Sequence, residues 1–328
     1  MMLHRRTIAL AATSFLSGLI FLAPIHPANA ATIAPAFAAA YTLTDLGPVS
    51  GLPVPYGGLV FAAGDTGTIY IGGDANIGAG GLYSVPVVRG VGGHITSIGA
   101  ATFKATAPFN DGGFAYGPGG VLFLSQWPVN NIAQYKPGLP SAAPDKVTDV
   151  AALGVAASQA ALQFIPSTFP GAGKLKGLSW PNGEFYTFGF SPDGGGLFDI
   201  TSATLETTIV GGPEGFVYIK NTNPGFAVDS MLVSEFSANN VAAYTLDADG
   251  NPIPASRVDF ITGLSGAEGA VIDPVTGDFL FSTFGAAVDH VIIVQGFLPP
   301  PPAVPEPSSL LLLGVGLAGF GLIRRRWV

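Results

Sequence analysis

The chain repeats itself, and the repeat limits what it can fold into. Residues 266–284 read G-A-E-G-A-V-I-D-P-V-T-G-D-F-L-F-S-T-F. An apolar run at 270–272 ends at Asp273-Pro274, and the Thr276-Gly277-Asp278 turn sends the chain back through a second run at 279–281. Two short apolar runs around a Gly-containing turn predict a tight β-hairpin. Pro213-Glu214-Gly215 has the same start, and residues 111–124 have the same hairpin, opening on Asp111-Gly112-Gly113. Asp111 and Glu214 lie about two periods apart and Glu214 and Glu268 one, so a weaker copy belongs in between. Residues 158–166 fill that gap, and 57–61 stand one period before Asp111. Five units of roughly 50 residues result.

Each unit divides into four strands; in the fourth they fall at 216–219, 231–236, 241–246 and 257–261. Four antiparallel strands per unit, repeated radially, describe an all-β chain folded as a β-propeller. The inner strands at 57–63 and 112–115 are rich in Gly and small residues, which suits the crowding of blades near an axis. Five four-stranded blades are expected, with six as the nearest alternative; a β-sandwich or a β-solenoid would also give many short strands. Residues 41–46 alternate like a strand yet precede the first unit, whereas the last unit shows only three strands, at 270–272, 279–282 and 291–294. The N-terminal strand should therefore complete the last blade beside 291–294, closing the ring and leaving no open sheet edge. The Ala-rich stretch 151–161 reads as a connection into the third unit.

The chain of 328 residues, 48% hydrophobic and 10% charged, suits one large β domain at 41–297 with terminal segments. Residues 1–30 carry Arg5-Arg6, an apolar run at 8–25 and Ala28-Asn29-Ala30, the three parts of a helical secretory signal peptide for the general secretion machinery. A retained anchor is the alternative, and a second possible cut lies after Ala40. Residues 31–40 read as a flexible leader. Taking Arg5, Arg6 and Arg324 to Arg326 from 13 basic residues, and Glu306 from 21 acidic ones, leaves 8 against 20, a body near −12. That charge argues against nucleic acid and anionic membrane as partners, so membrane contact is expected only through the terminal signals. With no cysteine, disulfides and thiolate metal sites are excluded.

After a Pro-rich spacer at 298–303, residues 304–328 carry Pro305-Glu306-Pro307, an apolar transmembrane segment at 310–323, and Arg324-Arg325-Arg326. The apolar helix is shorter than the roughly 20 residues that span a bilayer comfortably, and the three arginines hold its end on the cytoplasmic side. Motif, apolar segment and basic tail, in that order, resemble the PEP-CTERM sorting signal. The resemblance implies recognition by an exosortase, a membrane protease-transpeptidase of Gram-negative bacteria that make exopolysaccharide, and removal of the tail. An uncleaved C-terminal anchor is the alternative. The address implied is the cell envelope, outer surface or extracellular matrix, after transient anchoring in the membrane.

Residues 241–252 with 256–260 resemble the outer hairpin of the calcium-dependent lactonase family that includes gluconolactonase and regucalcin, and NHL-repeat propellers look similar. That family places an Asn and an Asp before the Gly of two inner strands, where they bind the metal; the matching positions here hold Glu214 and Glu268. Its early metal-binding Glu has no match near Tyr56-Gly57.

No nucleophile elbow, phosphate loop or His-based zinc motif occurs, and the body keeps only His94 and His290, read as ordinary strand or surface residues. Asp247 to Asn251 reads as a hairpin turn, because no Glu closes a calcium loop at its twelfth position. Asn110, Asp111, Gln159, Glu214 and Glu268 fall at corresponding points of successive units, just before the inner strands. In a closed ring they converge on one channel mouth, where Asp111, Glu214 and Glu268 would form an oxygen-only set suited to calcium. The competing reading has them capping strand ends and facing solvent separately. Together these features point to a binding or structural protein of the cell surface, directed to exopolysaccharide or biofilm. The alternative is a calcium-dependent hydrolase, lactonase- or glycosidase-like, using the channel-mouth carboxylates.

The sorting signal gives a direct expectation. Surface-extracted protein should lack residues 310–328 by intact mass spectrometry, and alanines at Pro305, Glu306 and Pro307 should leave the tail attached. Recovery of the natural protein with its C-terminus at Val328 would refute the processing.

Overall fold

Strands of this chain are apolar on both faces, and that decides how the sheets are used. In the last unit Phe279 and Phe281 enter one buried cluster while Leu280, pointing the other way, enters the next; Ile292 and Val294 divide from Val291 and Ile293 in the same manner. Side chains alternate across a strand, so a sheet built this way must be covered on both sides. Blades set face to face around a ring satisfy the requirement. Five buried clusters result, one in each interface between neighbouring blades.

The computed structural model describes residues 31–139, 141–157, 159–285 and 288–300. The expected signal helix, the sorting signal and its apolar span lie outside the described residues. Blade 1 consists of Leu59–Phe61, Thr68–Gly73, Gly81–Arg89 and Thr102–Thr106, with Ile95–Ile98 paired to the far half of the third strand. Blade 2 is Asn110–Tyr116, Leu122–Gln126, Asn131–Tyr135 and Lys146–Asp149. Blade 3 is Gln159–Phe164, Leu175–Ser179, Glu184–Pro192 and Phe198–Thr208. Blade 4 is Pro213–Ile219, Ser230–Glu235, Asn240–Thr245 and Val258–Thr262. Blade 5 is Ala267–Ile272, Phe279–Thr283 and Val291–Gln295, completed by the N-terminal Thr42–Gly47. The protein is thus an all-β propeller of five blades. Among the described residues helix is confined to single turns, including Ala151–Leu153 in the connection to blade 3.

Closure runs as the strand count requires. Leu43 stands opposite Val294, Thr44 opposite Ile293 and Asp45 opposite Ile292. Tyr41, just before this strand, is buried, with its ring 4.4 Å from that of Phe297 and its hydroxyl donating to the Pro224 carbonyl at 2.7 Å. The stretch 31–40 departs from the expected loose leader. Thr32–Ile33 pairs with Val258–Thr262 as a fifth strand on blade 4, and Phe37 is buried with its ring edge-on to Phe260 at 5.0 Å. Its low-complexity composition hid one aromatic anchor and two extended residues. Processing after Ala30 keeps this cluster whole, whereas a cut after Ala40 would remove both.

Polar side-chain pairs tie blade 5 to blade 1 and hold its N-terminal strand. Arg89 of blade 1 grips the fully buried Asp273 of blade 5 with two bonds, 2.6 and 3.0 Å. His94 meets Asp278 at 2.6 Å, and His290 meets Asp45 at 2.7 Å. Both histidines of the body therefore serve the closure.

Removing the Tyr41 ring should loosen the ring of blades at its last joint. Tyr41→Ala is expected to cost about 3–5 kcal/mol, a fall of roughly 10 °C in melting temperature, while Thr42→Ala, on the exposed side, stays within about 0.5 kcal/mol. Equal melting curves for the two variants would show that the strand does not close the fold.

Candidate functional site at the upper channel mouth

The start of an inner strand is where the repeat departs from regular pairing. The ladder slips between Asn110 and Phe114, between Gln159 and Ala161, between Pro213 and Gly215, and between Ala267 and Ala270. A bulge re-aims the side chain it contains, and three of the four bulges contain Asp111, Glu214 and Glu268. Each acid is followed by a glycine, for a steric reason. A Cβ on Gly112 would collide with the Glu214 carbonyl, one on Gly215 with the Glu268 carbonyl, and one on Gly269 with Gly58 of blade 1. Inner strands therefore touch near the axis at the glycines that follow the acids.

A bulge also leaves backbone groups without ladder partners, and serines on the second strands take them up. Ser125 Oγ accepts from Gly113 N–H at 2.9 Å and donates to the Ala160 carbonyl of blade 3 at 2.6 Å. Ser282 Oγ accepts from Gly269 N–H at 3.1 Å and donates to the Gly57 carbonyl of blade 1 at 2.6 Å.

Asp111, Glu214 and Glu268 each place a carboxylate oxygen within 4.8 Å of the others'. Their exposures are 1%, 6% and 1%, which rules out separate solvated caps. With its amide oriented to satisfy both groups, Asn76 donates to Asp111 Oδ1 at 3.0 Å and to the Asn110 carbonyl at 3.1 Å. Asp111 Oδ2, Glu214 Oε2 and Glu268 Oε1 have no hydrogen-bond partner. Burial pushes the Asp111 carboxyl up to about 7, offset in part by hydrogen bonds from Glu268, Asn76 and Gly112. Glu214 and Glu268 are raised well above the ordinary carboxylate range, first by burial and then by the neighbouring acids.

The two amides in register do not join the trio. Asn110 Nδ2 turns back to the Ala107 carbonyl at 2.9 Å, and Gln159 Nε2 bonds to the Ala161 carbonyl of its own strand. Asp247 forms the expected turn, its Oδ1 accepting from Asp249 and Asn251 N–H.

Above the acids lies a cavity of about 140 Å³ lined by Glu214, Glu268, Asn76 and four aromatic residues: Trp127, Trp180, Phe236 and Phe284. Each aromatic directly follows the second strand of its blade, from blade 2 to blade 5. Sequence reasoning missed this collar. Its signal was present as S-Q-W, S-W, S-E-F and S-T-F at the period of about 50 residues. At the other end of the inner strands, about 20 Å away by strand rise, a cavity of about 330 Å³ is bordered by Phe169, Tyr218, Val271, Phe297 and Leu298. The chain leaves the propeller there, held by Leu298 N–H donating to Asn223 Oδ1 at 2.7 Å.

Residues 303–326 match the PEP-CTERM protein-sorting motif. The motif marks an exported protein, sorted by an exosortase and held in the membrane by its C-terminal segment. No curated protein matches the chain. Among solved structures the propeller is similar to a candidate gluconolactonase, at 12% identity and TM-score 0.40 over 80% of this chain and 95% of that one. It is also similar to the PQQ-bound aldose sugar dehydrogenase of Streptomyces coelicolor, at 13% identity and TM-score 0.39 over 77% and 84%. A glucose dehydrogenase is similar at 12% identity and TM-score 0.42 over 79% and 100%. Among the described residues no helix is long and apolar enough to cross a membrane.

The raised carboxyls give a pH dependence of definite sign. In chelator the folded state keeps protons that the unfolded chain releases as pH rises from about 4 towards 7. This stability is complete below the unfolded values and is lost as pH rises through the folded ones, by about 1.4 kcal/mol per pH unit for each such proton. Melting temperature in chelator should therefore fall between about pH 5 and pH 8, and Glu214→Gln with Glu268→Gln should flatten the fall. A profile that rises over this window, or that the double variant leaves unchanged, would contradict the assignment.

Proposed function

We propose that this exported, exosortase-sorted propeller is a binding protein of the cell surface whose ligand site is the upper channel mouth, with a cation held by Asp111, Glu214 and Glu268. The observation that carries the reading is the trio itself: three buried carboxylates with unpartnered oxygens, close enough to share one ion. Calcium–oxygen bonds of about 2.3–2.6 Å let two ligands of one ion stand up to about 5 Å apart, so carboxylate oxygens within 4.8 Å of one another fit. Without a cation, burial and mutual repulsion keep the group protonated; with one, the same geometry becomes favourable. Extracellular polysaccharide is the partner suggested by the sorting signal. The last described residues leave the propeller at the lower mouth, opposite the carboxylates.

A calcium-dependent hydrolase is the second reading. It is favoured by the Asp111 carboxyl, which at about 7 lies in the range a general base needs.

Calcium at a hundredfold excess over its Kd should stabilise the fold by about 2.7 kcal/mol, raising the melting temperature by roughly 5–10 °C. Glu214→Gln with Glu268→Gln should abolish that rise. Identical melting curves in calcium and in chelator would remove the inorganic-ion site. Turnover of lactone or aryl-glycoside substrates, lost in the double variant, would replace the binding reading by the hydrolase.

A further inference from the structure

The carboxylates account for a cation, but not for the walls above them. A calcium ion seeks six to eight oxygen ligands, whereas this cavity surrounds its acidic floor with four aromatic side chains. The wall is continuous over three blades. Trp180 meets Phe236 edge-on at 6.3 Å and 75°, and Phe236 meets Phe284 at 5.9 Å and 74°. Trp127 completes it from blade 2. Glu214 Oε2 and Glu268 Oε1 are buried without partners, on side chains that line the same space.

We infer that the upper mouth is an aromatic cage for an organic ammonium group, borne by a methylated amine or by an amino sugar. A methylated ammonium is weakly hydrated and loses little on entering an apolar cavity, whereas the primary ammonium of an amino sugar is strongly hydrated and would exchange that water for the unpartnered carboxylate oxygens. Either charge would then be matched by the carboxylates below, with the four aromatic rings that line the cavity available for cation–π contact. One feature thereby uses both halves of the site. At about 140 Å³ the cavity accepts a head group rather than a length of polymer, so a polysaccharide would present one amino-sugar residue at a time. The inference rests on the reading of the trio as a cation site and specifies which cation it takes.

The chain provides its own reporter. Its three tryptophans are Trp127, Trp180 and Trp327, so the full chain carrying Trp327→Phe emits only from the collar. Tetramethylammonium and glucosamine should each shift this fluorescence saturably, and should compete with calcium. Sodium chloride and neutral glucose should do neither. Trp180→Leu and Phe284→Leu keep apolar volume but remove a ring face, and each should weaken the ammonium probes about tenfold while leaving calcium stabilisation in place. A response to tetramethylammonium alone assigns the methylated amine; a response to glucosamine as well assigns the sugar-borne amine. Glucose acting as strongly as glucosamine, or ammonium probes acting no more than sodium, overturns the inference. If calcium then still stabilises the fold, the cation site survives the cage; if neither acts, both fall.

Discussion

Crowding at the propeller axis is the constraint from which the rest of the structure follows. Inner strands approach closely enough that Gly112, Gly215 and Gly269 can carry no side chain. Strands at that distance cannot keep regular pairing with their own blades, and the bulges at their starts relieve the conflict. The relief has two effects. It frees N–H groups that Ser125 and Ser282 then tie to the next blade. It also rotates the residue before each glycine towards the axis. A site at the mouth is thus a by-product of closing five blades around a narrow centre.

The second constraint is the seam. Blade 5 is completed by the N-terminal strand and must then meet blade 1, so contacts between the two ends of the chain fall on both of its faces: Tyr41 and Phe37 on the side of blade 4, Arg89 on the side of blade 1. Tyr41 and Phe37 fill the space against Phe226, Phe260 and Phe297. Arg89 neutralises Asp273, whose charge would otherwise be buried alone, an arrangement that costs about 3–5 kcal/mol when one partner is removed. Apolar packing supplies the bulk of each interface, and these directional pairs fix which two edges meet.

Much of the fold was legible because two periods coincide in the sequence. Strands with both faces apolar read as short runs such as F-L-F and V-I-I-V, and the runs recur every 50 residues or so. The orphan strand at 41–46 followed by counting. Legibility ended where tertiary contact replaced periodicity. Nothing in A-T-I-A-P-A-F at 31–37 announces an edge strand, because its pairing with Thr262 and Ile261 is supplied by a distant blade. The acids were found because they precede glycines in register, yet the turning-in of Asn110 and Gln159 was not, since those amides can satisfy themselves on nearby carbonyls. The collar escaped because its members sit after strand ends and change from Trp in blades 2 and 3 to Phe in blades 4 and 5, so they fit neither a strand pattern nor an identity repeat.

Whether the three acids serve the fold or a ligand can be argued from the molecule's own repeats. Blade 1 presents Gly57 and Gly58 at the equivalent turn, and blade 3 presents Gln159 and Ala160, yet both inner strands take their places in the ring. Closing the propeller therefore requires no carboxylate at this position. Burying three together is costly: each is raised by desolvation, and for Glu214 and Glu268 the neighbouring acids add repulsion rather than a compensating positive charge. A buried Arg–carboxylate pair stands at the seam and another at Glu235, where Arg257 donates at 2.5 and 2.9 Å, so this chain does match buried acids with cations where only stability is at stake. At the mouth no Lys or Arg is among the groups that shift the three acids, and a cavity walled with aromatic rings lies above them.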